Sequence, residues 1–416
     1  MKQEVDDAAR ALRTLFPETP LQLNEHLSAR YGAQIYLKRE DLSPVRSYKI
    51  RGAFNFFRKE LSAGADAATS FVCASAGNHA QGFAFVCRHF GVQGVVFMPV
   101  TTPQQKIDKT RMFGGDFVTI RLHGDFFDQC YAAARDHAAT TGAKMVPPFD
   151  HLDIIEGQAT VAAEIVEQLG EDVRLDLVVL PVGGGGLSAG VTGYLADRLA
   201  DDAFLFCEPA GAPSLRQSLE AGAVVTLDQV DNFVDGAAVA RIGELNFEAL
   251  RRFSAGQVML LSENAICVTI ADMLNVEGVV LEPAGALSLT AREALGREGL
   301  EGKTVVAVVS GGNFDFERLP DVKERAMRHS GLKKYFILRL AQRPGALRDF
   351  LNMLGPDDDI ARFEYLKKSA RNFGSILIGI ETKAPENFIR LKQAFEAGGM
   401  RYQDITDNEI LANLII

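Results

Sequence analysis

Six short apolar runs, separated by stretches mostly long enough for helices, constrain this chain more than any other feature. The runs are 34–40 (QIYLKRE), 70–75 (SFVCAS), 94–100 (GVVFMPV), 175–182 (LDLVVLPV), 203–209 (AFLFCEP) and 304–310 (TVVAVVS). They are rich in Val, Phe and Leu and barely alternate with polar residues, as strands do in a parallel sheet covered on both faces. Parallel strands need crossover connections, usually helical. The segment 49–62 has that character, placing Ile50, Ala53, Phe54, Phe57 and Leu61 on one face. The pattern predicts an α/β fold. Two parallel-sheet subdomains are expected, the smaller (about 50–150) inserted in the larger, within a unit spanning 1–320.

The pattern stops near residue 320. The segment 321–334 (DVKERAMRHSGLKK) is charged and poor in large apolar residues, so 321–332 reads as a linker, in part helical. From 333 to 416 the order strand, helix, strand, strand, helix, strand predicts an α+β ferredoxin-like domain. Pro344 is expected near the first turn of its first helix, and Gly398 and Gly399 stop the second.

At roughly 150 residues per domain, 416 residues suggest two or three domains, and 47% hydrophobic residues supply their cores. The 54 acidic against 44 basic residues give a net charge of −10, which argues against nucleic acid or an anionic membrane as partner. Cys73, Cys87, Cys130, Cys207 and Cys267 are scattered without a CxxC pair, fitting reduced thiols in a cytoplasm rather than disulfides or zinc. The N-terminus lacks the apolar stretch of a signal peptide. The run 175–182 is too short to span a bilayer. A cytoplasmic protein is expected.

Three segments carry candidate chemistry. Lys49, in Ser47-Tyr48-Lys49-Ile50-Arg51-Gly52-Ala53, falls in the first turn of a helix with Ser47 as candidate N-cap. It is either a solvated surface lysine or, lowered in pKa by the helix dipole, an amine suited to imine chemistry. Gly183, Gly184, Gly185 and Gly186, followed by Leu187, lie between an apolar run and a helix. They make a flexible turn or, with backbone N–H groups converging at a helix start, a phosphate cradle. A dinucleotide site stays open, with Glu208 as the ribose acid. In Ser75-Ala76-Gly77-Asn78-His79-Ala80-Gln81-Gly82, Asn78 and Gln81 have capping-box spacing. The same loop could instead hold a carboxylate.

In this order and context the motifs resemble those of fold-type II pyridoxal-phosphate (PLP) enzymes of the tryptophan synthase β group, and most closely the threonine dehydratases, over roughly residues 15–320. The resemblance implies that Lys49 holds PLP as an imine, that Asn78 contacts the ring hydroxyl, and that Gly183–Gly186 with Leu187 bind the phosphate. It also implies that Ser310, in Ser310-Gly311-Gly312-Asn313, faces the pyridine nitrogen and that the loop Ser75, Ala76, Gly77, Asn78 and His79 takes the substrate carboxylate. The implied reaction is loss of water and then ammonia from L-threonine, with L-serine as a second substrate. Lys49, once displaced by substrate, serves as general base and the cofactor ring takes up the electrons. The cofactor phosphate is expected to protonate the leaving hydroxide.

Serine racemases of the family carry a hydroxyl residue where this chain has Ala76, so elimination without appreciable racemisation is expected. Some relatives bind a divalent cation through a Glu and an Asp six residues later. Here those positions are Glu208 and Ser214, and no metal is expected. Glu282 matches a family motif near the active site, and it is either a buried acid there or a helix-start acid. Residues 333–416 resemble a single ACT-like regulatory domain, which implies feedback by isoleucine, with Arg343, Pro344 and Gly345 as candidate effector contacts. Relatives of this kind imply a homotetramer.

Overall fold

The structure is a computed structural model that describes residues 2–64, 69–170, 172–366 and 373–408. It divides into two compact units, Met1–Asp315 and Phe316–Ile416.

The first unit contains two sheets. The larger has six strands in the order Leu21–Leu23, Gln34–Arg39, Thr304–Val309, Leu177–Pro181, Phe204–Pro209 and Val258–Leu261. Only the first pair is antiparallel. The strand Thr304–Val309 is buried at every position, which accounts for its unbroken apolar sequence. The smaller sheet is wholly parallel, in the order Val118–Leu122, Gly94–Met98, Phe71–Ala74 and Lys144–Met145. Its core joins Phe54, Phe57, Phe71 and Phe83, with the Phe57 and Phe71 rings stacked at 4.1 Å.

The six expected runs are all strands. Sequence reading passed over Val118–Leu122 and Val258–Leu261, which lie at sheet edges. Each is partly exposed, so neither shows the continuous apolar character of a central strand.

A buried ionic cluster lies beneath the helix that begins at Lys49. The Arg51 guanidinium, 0% exposed, donates to Glu40 Oε1 and Oε2 at 2.9 and 2.7 Å. It also donates to Glu164 Oε1 and Oε2, both at 2.8 Å. Lys38 Nζ adds a 2.6 Å contact to Glu164 Oε2.

The second unit is an antiparallel sheet in the order Asp359–Leu366, Phe373–Glu381, Lys333–Ala341 and Arg401–Asp404. Helices Ala346–Leu351 and Asn387–Ala397 complete the expected β-α-β-β-α-β order, closing a core around Phe336, Phe350, Ile378 and Phe395. Gly398 occupies the C-cap of the second helix and Gly399 follows at φ +65°. The stretch 321–332, expected as a linker in part helical, carries most of the helix Leu319–His329, which buries Val322 and Ala326. Pro344 lies near the first turn of the next helix, immediately before its cap. That helix starts at Ala346, after Gly345 at φ +86°, and Arg343 Nη2 donates to Asp349 Oδ2 at 2.6 Å.

No helix of the described residues is long and apolar enough to cross a membrane.

Candidate active site

Lys49 is the first residue of the helix Lys49–Ser62, and Tyr48 caps it. The Tyr48 N–H donates to Ser310 O at 3.1 Å, which ties the helix start to the end of the central strand. Ser47 does not cap the helix as expected. Its backbone N–H and C=O are both taken by Ser43 Oγ, and its own hydroxyl is buried without a partner. Lys49 Nζ donates to Pro148 O at 3.0 Å and lies 5.4 Å from the Tyr48 ring centre and 5.8 Å from that of Phe149. Burial lowers its amine from 10.5 to about 8, against the opposing pull of the Glu282 charge. This is not a solvated surface lysine. Desolvation prepares it for nucleophilic chemistry.

The glycine run follows the strand Leu177–Pro181, and Gly186 opens the helix Gly186–Leu195. Gly185 has φ +89°, where a side chain is strained. A Cβ on Gly184 would stand 2.3 Å from the Phe149 ring. Asn246 Nδ2 holds the Gly184 carbonyl at 2.7 Å and the Phe149 carbonyl at 3.3 Å. Phe149 and Asn246 thus press the loop from the protein side. Among the described residues, none of the backbone N–H groups of 183–187 donates to a backbone carbonyl. Clustered free amides at a helix N-terminus are the chemistry of an anion cradle.

Residues 75–77 join the strand Phe71–Ala74 to the helix Asn78–Phe90, whose cap is Gly77. The capping-box reading of Asn78 and Gln81 therefore fails: Asn78 already lies inside the helix. Its side chain instead donates from Nδ2 to Glu282 Oε1 at 2.6 Å and accepts at Oδ1 from Asn313 Nδ2 at 2.8 Å. Gly77 faces open space, with nothing within 4 Å of a built Cβ. His79 is 4% exposed, its Nε2 lies 3.1 Å from Val146 O, and burial together with the Lys49 charge holds its pKa down to about 3. It is held neutral in the first turn of the helix Asn78–Phe90, against the Val146 carbonyl.

Glu282 is both of the things weighed for it: it stands at the N-cap of the helix Pro283–Leu300 and it is buried. Burial and the Asp235 charge raise it to about 7, while Asn78, Lys106 and Lys109 pull the other way. Ser310 Oγ donates to Ala284 O at 3.2 Å. A Cβ on Gly311 would stand 2.0 Å from Glu282 Oε1, so the Ser310–Asn313 loop seats directly on the acid. Lys49, Asn78, the glycine loop and Ser310 are thus drawn together from four distant segments. Asn313, Glu282, Phe149 and Asn246 complete the site. Asn313 and Glu282 stood inside motifs already noted, whereas Phe149 and Asn246 carried no sequence signal.

Glu208 is buried at the end of the strand Phe204–Pro209. Its carboxylate accepts from Leu215 N at 2.7 Å, Arg216 N at 2.9 Å and Ser214 Oγ at 3.3 Å, closing the start of the helix Ser214–Ala221.

A lowered-pKa lysine, an amide cradle for a phosphate and a neutral serine hydroxyl together fit the chemistry of PLP. A family model described as pyridoxal-phosphate dependent enzyme matches residues 12–311, and the chain belongs to that family. A second model, the C-terminal regulatory domain of threonine dehydratase, matches residues 324–415.

Within the family it groups with the biosynthetic threonine dehydratases. The L-threonine dehydratase of Halalkalibacterium halodurans is 42% identical over 423 residues, spanning 100% of both chains. That of Mycobacterium tuberculosis is 48% identical over 386 residues, 91% of this chain and 87% of its own. Among solved structures, the processed form of threonine deaminase isoform 2 from Solanum lycopersicum superposes with a TM-score of 0.70 at 36% identity, covering 78% of this chain and 87% of that one.

Proposed function

We propose that the chain deaminates L-threonine to 2-oxobutanoate and ammonia, and L-serine to pyruvate. On this reading it catalyses the first step of isoleucine formation and answers to isoleucine through its C-terminal unit. The observation that carries the reading is Lys49, whose desolvated amine sits at a helix start beside Phe149, the residue packed under the glycine loop. When bound, PLP supplies an electron sink for the α-carbon of an amino acid.

The residues divide the remaining work. Lys49 Nζ anchors the cofactor and, once displaced by substrate, takes the α-proton. The amides of 183–187 hold the phosphate, and Asn246 keeps their loop in shape. Asn78 addresses the ring oxygen. Ser310 would face the ring nitrogen with a neutral hydroxyl, a partner that would leave that nitrogen unprotonated and so favour prompt loss of the β-hydroxyl. The loop 75–79 takes the substrate carboxylate at helix N–H groups. Ala76 has no proton to deliver to the opposite face, so D-serine does not accumulate from L-serine.

The domain reading is a catalytic 1–320 and a regulatory 333–416, in a cytoplasmic homotetramer. The 324–415 family match and the β-α-β-β-α-β order support the regulatory part. Oxo-acid formation from threonine by the full chain, with and without isoleucine, tests both halves. No ammonia from threonine sinks the first, and rates indifferent to isoleucine sink the second.

A further inference from the structure

The Asn78 amide is held between two other side chains, and their chemistry settles which way it points. A side-chain amide can be turned over without changing its shape, so its oxygen and nitrogen are distinguished by their partners. Asn313 supplies the reference. Its Nδ2 donates to the backbone carbonyl of Val45 at 2.8 Å, and a carbonyl oxygen only accepts. Asn313 therefore cannot turn over without opposing two oxygens. With Nδ2 fixed, its second hydrogen points to Asn78, and Asn78 must meet it with Oδ1, at 2.8 Å. The Asn78 nitrogen then falls on the opposite edge, where Glu282 Oε1 accepts at 2.6 Å. Turning Asn78 over would oppose N–H to N–H on one side and oxygen to oxygen on the other.

We propose that Asn313 is a positioning residue for the reaction: it locks Asn78 so that only an N–H, never the amide oxygen, is presented to the ring oxygen of the cofactor. This rests on the reading of Asn78 as the residue that addresses that oxygen. One Nδ2 hydrogen is taken by Glu282, and the other remains to donate. A ring hydroxyl finds no acceptor on Asn78, so the deprotonated ring oxygen is favoured. On this proposal Asn313 acts through Asn78. Its own Oδ1 faces Lys109 Nζ at 3.5 Å.

The test uses the full-length holoenzyme and reads absorbance as well as rate. Asn313→Leu removes both N–H groups, and Asn78→Leu removes the amide they orient. In both, part of the violet absorption of the bound cofactor is expected to move to the near ultraviolet, with one cofactor per chain still trapped by borohydride. Asn313→Gln keeps both donors and should stay nearer to the wild-type spectrum. The kcat of Asn313→Leu on threonine should fall about tenfold to a hundredfold, the scale of misplaced catalytic geometry, with little change in KM. Should the leucine variant fail to fold, Asn313→Asp offers acceptors alone when ionised and must give the same spectral shift. A wild-type spectrum in Asn313→Leu or Asn313→Asp beside a shifted Asn78→Leu overturns the positioning role and leaves the reading of Asn78 standing. An unshifted Asn78→Leu overturns that reading, and the proposal with it.

Discussion

Replacing Arg51 with methionine should destabilise the catalytic unit by about 3–5 kcal/mol, the usual cost of leaving a buried charge without its partner. The magnitude follows from who remains. Glu164 keeps Lys38 Nζ at 2.6 Å and a contact from Arg13. Glu40, whose side chain is 0% exposed, loses both guanidinium hydrogen bonds and keeps the Thr19 hydroxyl at 2.5 Å, with Lys38 acting on it through charge. One stranded carboxylate sets the loss, and two would roughly double it. Urea unfolding followed by far-ultraviolet circular dichroism measures it. Glu40→Gln added to Arg51→Met removes the stranded charge and should recover more than half of the loss.

The pH dependence has a defined sign. Burial raises Glu164, but the Arg51 and Lys38 charges prevail and hold its carboxyl well below the ordinary carboxylate range. A depressed folded pKa contributes stability above the unfolded value, near 4.5, and loses it as pH falls. The variant has less of this to lose, so its gap to wild type should narrow in acid. A loss under about 1 kcal/mol, or a double variant no better than Arg51→Met, would refute the reasoning.

The other expectations concern the cofactor site. Colour development on adding PLP to the apo-protein requires a neutral Lys49, so its rate should climb with pH up to about 8 and then level off. An ordinary lysine would keep climbing towards 10.5. Because the Glu282 charge raises the Lys49 pKa, Glu282→Gln should move that midpoint downward. Gly184→Ala puts a Cβ 2.3 Å from the Phe149 ring. The ~1–3 kcal/mol of overpacking should weaken cofactor affinity roughly fivefold to a hundredfold, as read by fluorescence titration.

The parts of the site that sequence made legible share one property: each is a short segment whose residue types are odd for its place. Four glycines between a strand and a helix, or a lysine heading an apolar helix face, call for a reason that ordinary packing does not supply. What stayed hidden depends on pairs far apart in the chain. Asn78 meets Asn313 across 235 positions and Glu282 across 204. Arg51 meets Glu164 across 113. Before folding, those charges look like a solvated face.

Spacing also misled where two structures share it. Asn78 and Gln81 fit a capping box, yet Gly77 ends the loop one residue earlier and frees the Asn78 amide for the site. The fold was legible for the same reason that its edges were not. Central strands such as Thr304–Val309 are buried at every position and almost wholly apolar, whereas Val118–Leu122 and Val258–Leu261 are partly exposed and sequence reading passes over them.

The most direct measurement is reductive trapping of the holoenzyme with borohydride, followed by proteolysis and mass mapping of the labelled peptide. The account predicts a single modified residue, Lys49, and no label in a Lys49→Ala variant that has also lost turnover. Label on Lys106, Lys109 or any other lysine, or threonine turnover that survives Lys49→Ala, would contradict it.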